Sequence, residues 1–283
     1  MESIDLFKTG TNEWLTTDSL LNSLYDMGAH DCNVLFIHSA LNFGAPNPKL
    51  KPKILLGHIM DVIRQLHVPT ICMPTFTFSS CNGKIYDPLT SKSRMGALNE
   101  FFRGQPGVSR SMDPLMSVAL EGQDTDLITG ISTHSIGEES TYDRIHYRDG
   151  VKFLFLGPRI GDCFTYMHYL EWLFSVDYRY IRHFKGLTRT ADNALIETDN
   201  DLFVRYKGIT PSLKGTYFYG DYMCSTGSAS SKMIGGGHIE IVEEKGACRD
   251  YLECHSKNPY FLVDASTPFR EKTFLLESEM VAL

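Results

Sequence analysis

Asn33-Val34-Leu35-Phe36-Ile37-His38 is a nearly unbroken apolar run, and Thr70-Ile71-Cys72-Met73-Pro74-Thr75 is a second one. Between them, residues 54–66 place Ile54, Leu55, Ile59, Ile63 and Leu66 on one helical stripe. Short apolar runs of this kind fit strands buried on both faces, and the spacing between them fits an amphipathic helix. A strand, a helix and a strand in that order predict a right-handed parallel crossover, and so an α/β fold.

Working outward, Thr17 can cap a helix over residues 18–27 that Gly28 ends. Residues 77–92 form a long polar loop, and a loop of that length in a compact domain is usually functional. Ser93 is expected to cap a helix through Phe102, which stops before Gly104 and Pro106. Further strands are expected at 115–120 and 151–156, followed by a helix over 164–176. Alternation around Asp192-Asn193 and Asp199-Asn200 predicts antiparallel hairpins between 178 and 206. A helix-like segment after Thr210-Pro211, a strand at 238–242, a helix at 246–254 and a last strand at 260–263 complete the reading. No Pro/Ser-rich linker and no internal repeat is visible. The expected architecture is one domain over 1–283, a three-layer α/β/α arrangement with a mixed central sheet and an antiparallel β insertion at 178–208.

The chain has 283 residues, 42% hydrophobic and 22% charged, an ordinary globular composition with enough mass for a core that needs no staples. That excludes disordered, collagen-like and coiled-coil chains. The net charge of −7 offers no basic footprint, which argues against nucleic acid as the main partner, while a mildly acidic surface suits a cationic small molecule and is equally explained by solubility. No apolar run reaches about 18 residues, so no membrane-spanning helix is expected. Residues 1–10 carry Glu2, Asp5 and Lys8 and lack the apolar core of a secretory signal. The seven cysteines are odd in number and form no C-x-x-C pair, and we read them as reduced thiols of a cytoplasmic protein.

Chemistry concentrates in three places. Thr165, His168 and Glu171 are spaced three apart, so a helix would align a hydroxyl, an imidazole and a carboxylate along one face. Such a stripe can handle a proton, the carboxylate fixing the ring tautomer. Two other readings stay open for this pattern alone: an incidental histidine on an amphipathic helix, and a shared metal ion, although the H-E-x-x-H order of zincins is absent. Next, His38-Ser39-Ala40-Leu41 directly follows a buried strand, and Pro74-Thr75-Phe76-Thr77 ends its neighbour. Ligands collect at the carboxyl ends of parallel strands, where backbone N–H groups can hold an oxyanion. The third cluster is Met95–Arg103 with Pro106–Pro114 and Ser117, where Glu100 sits on an otherwise apolar helix and Arg103 and Arg110 can bind phosphate or pair with carboxylates; taken singly, a solvent-facing Glu100 and plain surface charge at each arginine are the default readings.

Together the pieces H-S-A-L (38–41), Y-D-P (86–88), M-G-A-L-N-E-F-F-R (95–103), P-G-V-S-R-S-M-D-P (106–114) and T-Y-M-H-Y-L-E (165–171), the last preceded by F-L-F-L-G (153–157), resemble the aminoglycoside 3-N-acetyltransferase family. The resemblance covers roughly residues 10–185. It implies an α/β/α acetyl-CoA-dependent N-acetyltransferase unlike the GNAT enzymes, whose glycine-rich pyrophosphate loop is not visible here. It implies His168 as general base, Thr165 and Glu171 as its motif partners, and Glu100 as a carboxylate near the base or the substrate amine. Ser39 with Ala40 and Leu41 is implied as the pantetheine and thioester contact. Thr75, Ser117, Arg110 and Ser111 fall on the cofactor side, and Asp87, Asp113 and Tyr166 on the acceptor side. Acetyl-CoA is expected as co-substrate, with no metal, no nucleic acid and no membrane, and a homo-oligomer is compatible.

The expected reaction is direct transfer to an amine. His168 takes the proton, Glu171 or Glu100 fixes the ring, and a backbone N–H after Ser39, with Thr165, stabilises the oxyanion. Cys163 as a nucleophile is the competing route. A metallohydrolase and a non-catalytic CoA- or sugar-binding protein are the readings from other classes. Similar proteins often carry His or Asn at the position of Asp113. That departure, the 178–208 segment and the modest charge favour a nucleotide-linked deoxy-aminosugar as acceptor, with an aminoglycoside as the alternative. Tyr166, Tyr169, Trp172, Tyr178 and Tyr180 are candidates for stacking on a sugar or base, with core packing as their default.

Overall fold

The computed structural model describes residues 3–264 and 272–275. In chain order these form β1 (Asp5–Lys8), β2 (Trp14–Thr16), α1 (Thr17–Asp26), β3 (Val34–Ser39), β4 (Ala45–Pro46), α2 (Pro52–Arg64), β5 (Thr70–Pro74) and α3 (Ala97–Arg103). They continue with β6 (Ser109–Arg110), β7 (Val118–Gly122), α4 (Thr141–His146), β8 (Val151–Gly157), α5 (Ile160–Cys163) and α6 (Tyr166–Leu173). The rest are β9 (Arg179–Arg189), β10 (Leu195–Arg205), α7 (Leu213–Thr226), β11 (Ala229–Ile234), β12 (Gly237–Glu243) and α8 (Glu244–Lys257).

The crossover read from the apolar runs is present, since β3 and β5 pair in parallel with α2 between them. The main sheet has seven strands in the order β11-β12-β8-β3-β5-β7-β6. Strand β3 is also parallel to β8, and the remaining pairs are antiparallel, so the sheet is mixed. Alternate residues of each strand enter different cores, as the two-residue period of a strand dictates. Val34, Phe36, Phe153 and Phe155 pack with α6, α7 and α8. Leu35, Ile37, Leu154 and Leu156 pack with α1, α2 and α3. Strands with no polar face must be covered twice, which produces the three layers.

Helix starts show where local chemistry decides. Thr16, one residue before the expected Thr17, caps α1 in a capping box with Ser19. Pro52 opens α2, where its missing N–H costs nothing. Ser93 does not cap α3, which begins after Gly96 (φ +103°). The Ser93 N–H instead donates to the Glu100 carboxylate and its hydroxyl accepts from the Met95 N–H.

One long hairpin, β9–β10, replaces the expected plural hairpins. Its turn holds Asn193 at φ +69°, whereas Asp199 and Asn200 lie inside β10 and make no turn. The hairpin is clasped by the loops around it. The Tyr86 N–H donates to Leu187 O, the Arg189 N–H to Tyr86 O and the Ser135 N–H to Asp201 O. Strand β11 was not anticipated, because its burial is too slight to read as an apolar run. Residues 260–263 form no strand and keep only a bridge from Val263 to Pro211. No described helix is long and apolar enough to cross a membrane, and the seven cysteines are unpaired.

Candidate active site

The chain leaves β8 at Gly157, whose φ is +107°. A side chain there would meet Asn42 Oδ1 at 2.6 Å and the Leu41 nitrogen at 2.8 Å, so only glycine lets β8 approach the turn after β3. Helix α5 follows, capped from across the sheet by Glu240, which accepts from the Ile160 N–H at 2.5 Å. Phe164, with ψ +83°, ends α5, and α6 begins afresh at Tyr166, so the helix expected over 164–176 is shorter at both ends (Tyr166–Leu173). That break sets the direction in which α6 presents its polar side chains.

On α6, His168 Nδ1 lies 2.8 Å from Glu171 Oε2. Glu171 is 2% exposed and holds two further donors, the Tyr178 hydroxyl at 2.8 Å and Arg179 Nη2 at 2.8 Å. Burial pushes this carboxyl upward, but Arg179, the imidazole and Tyr178 outweigh it and hold it at about 2. Arg179 is fixed in turn by donating to Phe203 O at 2.8 Å, and its Nη2 lies 2.9 Å from His168 Nδ1. A guanidinium cannot accept, so Nδ1 either donates to Glu171 or accepts from Arg179. Charge decides the tautomer: the N–H is placed against an ionised carboxylate, which leaves the lone pair on Nε2. Nε2 has no hydrogen-bond partner among the described residues. Removal from bulk water, then the Arg179 charge, lower the His168 pKa, with Glu171 opposing them. The ring is therefore neutral at neutral pH.

His168, Thr165 and Arg179 line a cavity of about 310 Å³. Its walls are mostly apolar, including Phe76, Phe78, Met116, Ile136, Leu202 and Phe203, and Arg205 adds a second cation. Among the described residues no group of three or more His, Cys, Asp or Glu side chains is arranged to hold a metal ion.

The other sequence candidates lie outside this cavity and are occupied elsewhere. Glu100 does not hold the ring: it pairs with Arg103 at 2.5 Å and accepts from the Ser93 N–H. The Ser39 hydroxyl donates to Asn99 Oδ1 at 2.7 Å, and Asn99 donates to Pro74 O, which latches α3 across the ends of β3 and β5. The Ala40 and Leu41 N–H groups both donate to Leu156 O, so the expected oxyanion donor after Ser39 is already used. Thr75 and Ser117 are fully buried and bonded to each other. Ser111 is buried and accepts from the Val118 N–H. Asp113 is buried and accepts from the Leu115 N–H and the Ser135 hydroxyl, and Asp87 accepts from Leu89 and Thr90 in a turn. Tyr166 is buried with its hydroxyl on Glu244.

Arg110 is a clamp, with four of its five N–H donors spent on protein acceptors. It donates to Thr75 Oγ1, Ser117 Oγ, Pro88 O, Ser91 O and Thr75 O, stapling the 77–92 loop to the sheet, and it stacks on Tyr86. Arg110→Ala strands the buried acceptors on Thr75 and Ser117 and frees the loop carbonyls of Pro88 and Ser91. It is expected to cost about 3 kcal/mol, read as a lower urea midpoint at unchanged slope.

Arg179 escaped the sequence reading for a structural reason. It is in phase with Ile181, His183 and Lys185, all exposed, yet it is itself buried, because the base of β9 tucks against α6.

A neutral imidazole held by a buried carboxylate and opening on a cavity is the arrangement of a general-base site. A family model for aminoglycoside 3-N-acetyltransferases matches residues 58–250, and the chain belongs to that family, one of acetyl-CoA-dependent N-acetyltransferases. No curated protein matches it by sequence. Among solved structures it is similar to AAC-IIIb in binary complex with CoASH (18% identity, TM-score 0.70, covering 90% of this chain and 99% of that one). It is also similar to AAC-VIa bound to sisomicin (17%, 0.70, 85% and 97%), and to the YokD protein of Bacillus subtilis (16%, 0.68, 86% and 100%). At these identities the likeness is one of fold.

Proposed function

We propose that the protein transfers the acetyl group of acetyl-CoA to a primary amine of an amino sugar by direct attack, with His168 as the base. The observation that carries this is the His168–Glu171–Arg179 unit at the wall of the cavity. An amine arrives largely as ammonium and must lose a proton before its lone pair can attack. That first proton is released to solvent, and Nε2 takes a second proton from the nitrogen as it adds to the thioester carbonyl carbon. The tetrahedral oxyanion then collapses, the C–S bond breaks, and the thiolate leaves with the proton returned by the imidazolium. Glu171 holds the Nδ1–H throughout and stabilises the transient cation. Thr165, which lines the cavity and whose hydroxyl donates a long 3.4 Å bond to Cys163 O, is the candidate donor to the oxyanion. Acetyl-CoA is the second substrate, and the apolar walls suit its thioester end.

Family membership and a fold shared with a sisomicin-bound relative support an aminoglycoside as acceptor over the nucleotide-linked deoxy-aminosugar favoured by the sequence departures. The second reading is kept by one observation, the pair of arginines in the cavity. Thiol release from acetyl-CoA, run in parallel against aminoglycosides and nucleotide-linked amino sugars, tests both. Absence of amine-dependent release with either class refutes the acetyltransferase reading.

A covalent route through Cys163 is disfavoured, because burial pushes that thiol up to about 12, far from the thiolate a nucleophile needs. Cys163→Ala is expected to turn over within about twofold of the parent in the same assay, and a loss of about 10²-fold or more would restore the covalent route.

A further inference from the structure

The cavity beside His168 holds a cation that the fold does not use. Arg205, at the end of β10, faces Arg179 in register across the hairpin, and like charges set opposite one another in a sheet are unfavourable. Arg179 is matched by Glu171 and Phe203 O. Arg205 makes no side-chain hydrogen bond or ion pair with any described residue. It is half-buried in a wall built by Leu202, Phe203, Val204 and Ile209. Burial and the neighbouring Arg179 lower its pKa, with Glu171 and Tyr178 opposing them, and a guanidinium stays charged even so. A buried arginine that serves the fold recovers its lost solvation from carbonyls or carboxylates, as Arg110 and Arg179 do. Arg205 has no such partner among the described residues, and it lines the same cavity as His168.

We infer that Arg205 binds an anionic group, a phosphate or a carboxylate, carried by the acceptor whose amine His168 deprotonates. The inference rests on the acetyl-transfer reading and, of its two acceptors, takes the second, an amino sugar with an acidic substituent, against the aminoglycoside that family membership supports. The planar fork of a guanidinium suits such oxygens in two-point contact. The anion belongs to the acceptor and not to the coenzyme, because the whole pantetheine arm separates the phosphates of CoA from its sulfur. A cavity of about 310 Å³ that admits the thioester beside His168 does not also hold that far end. A polycation meets the opposite field, two arginines against one carboxylate already shared among three donors.

The test compares wild type with Arg205→Gln and Arg205→Lys. The amines are UDP-glucosamine and glucosamine 6-phosphate as anionic probes, methyl glucosaminide as a neutral one and sisomicin as a polycation, each assayed by thiol release from acetyl-CoA. Wild type is expected to favour an anionic probe over methyl glucosaminide in kcat/KM. R205Q should shrink that ratio by about 10- to 100-fold, with R205K in between, while the KM for acetyl-CoA does not follow. R205Q is also expected to melt at or above the wild-type temperature, since a like-charge pair is gone. The inference is overturned if R205Q raises the KM for acetyl-CoA and spares the ratio, if wild type prefers sisomicin irrespective of residue 205, or if R205Q melts markedly lower. Should no amine release thiol, the acetyltransferase reading fails by itself. Calorimetric binding of UDP-glucosamine then still judges the arginine, and equal affinity for wild type and R205Q overturns it.

Discussion

His168→Ala is expected to lower kcat by about 10²–10⁴-fold, the range general-base catalysis supplies, while the KM for acetyl-CoA stays within a few-fold. The ring is half-buried at the wall of the cavity and absent from the apolar cores, so its loss is a loss of chemistry and not of core. The pH profile carries the sharper signature. A base works when unprotonated, so kcat/KM rises with pH through the pKa of His168. That limb is centred below the ordinary 6.5, because burial and Arg179 both disfavour the imidazolium. In H168A the limb disappears. An acid limb that survives in the variant, or wild-type turnover, assigns the proton to another group.

Legibility of the fold followed from how completely each element is buried. Strands β3, β5 and β8 carry apolar residues on both faces and were readable as unbroken runs. Strands β1, β2 and β4 are short, and β11 is exposed along most of its length, so none leaves a periodic trace. Helix boundaries failed where a tertiary contact overrides a local cap. Ser93 is the example, drawn away to Glu100. At the site, His168 and Glu171 were legible because a helix fixes their mutual position through spacing alone. Their third partner, Arg179, comes from a different element and occupies an alternation phase that predicts exposure. Only the tertiary arrangement reports it. The polar residues of the 38–117 motifs were legible as a group, and their mutual bonds were not. Ser39, Thr75, Asn99, Arg110, Ser111, Asp113 and Ser117 bond one another or the backbone and brace the loops. A sequence motif does not distinguish a side chain that meets a ligand from one that holds the wall in place.

Glu171→Gln should produce the largest combined loss, in stability and in turnover. The carboxylate is the counter-ion of Arg179, whose side chain is 5% exposed, and removing one partner of a buried pair leaves the other charge uncompensated. The expected cost is about 3–5 kcal/mol, visible as a fall in the denaturation midpoint. Replacing both partners is less harmful than the sum of the two single changes, so Glu171→Gln with Arg179→Gln should show a coupling of about 1 kcal/mol or more in a double-mutant cycle. Additivity within error would mean that the pair contributes nothing. The pH dependence has a definite sign. A carboxyl held at about 2 when folded, against an ordinary 4.5, contributes stability that is fully present above 4.5 and is lost as pH falls toward 2, at most about 3 kcal/mol. His168, whose folded pKa is also depressed, adds a loss in the same direction that begins as pH falls through 6.5. Wild type therefore weakens on acidification in two overlapping stages, and E171Q lacks the lower one. Turnover falls for a separate reason. The glutamine amide can donate where the carboxylate could only accept, which turns Nδ1 into an acceptor and moves the ring proton to Nε2, the position that must be empty for a base. A loss of about 10²-fold or more in kcat is expected in E171Q even under conditions where the variant is fully folded. Folded E171Q with wild-type kcat would show that Arg179 and the cavity hold the productive tautomer without the carboxylate.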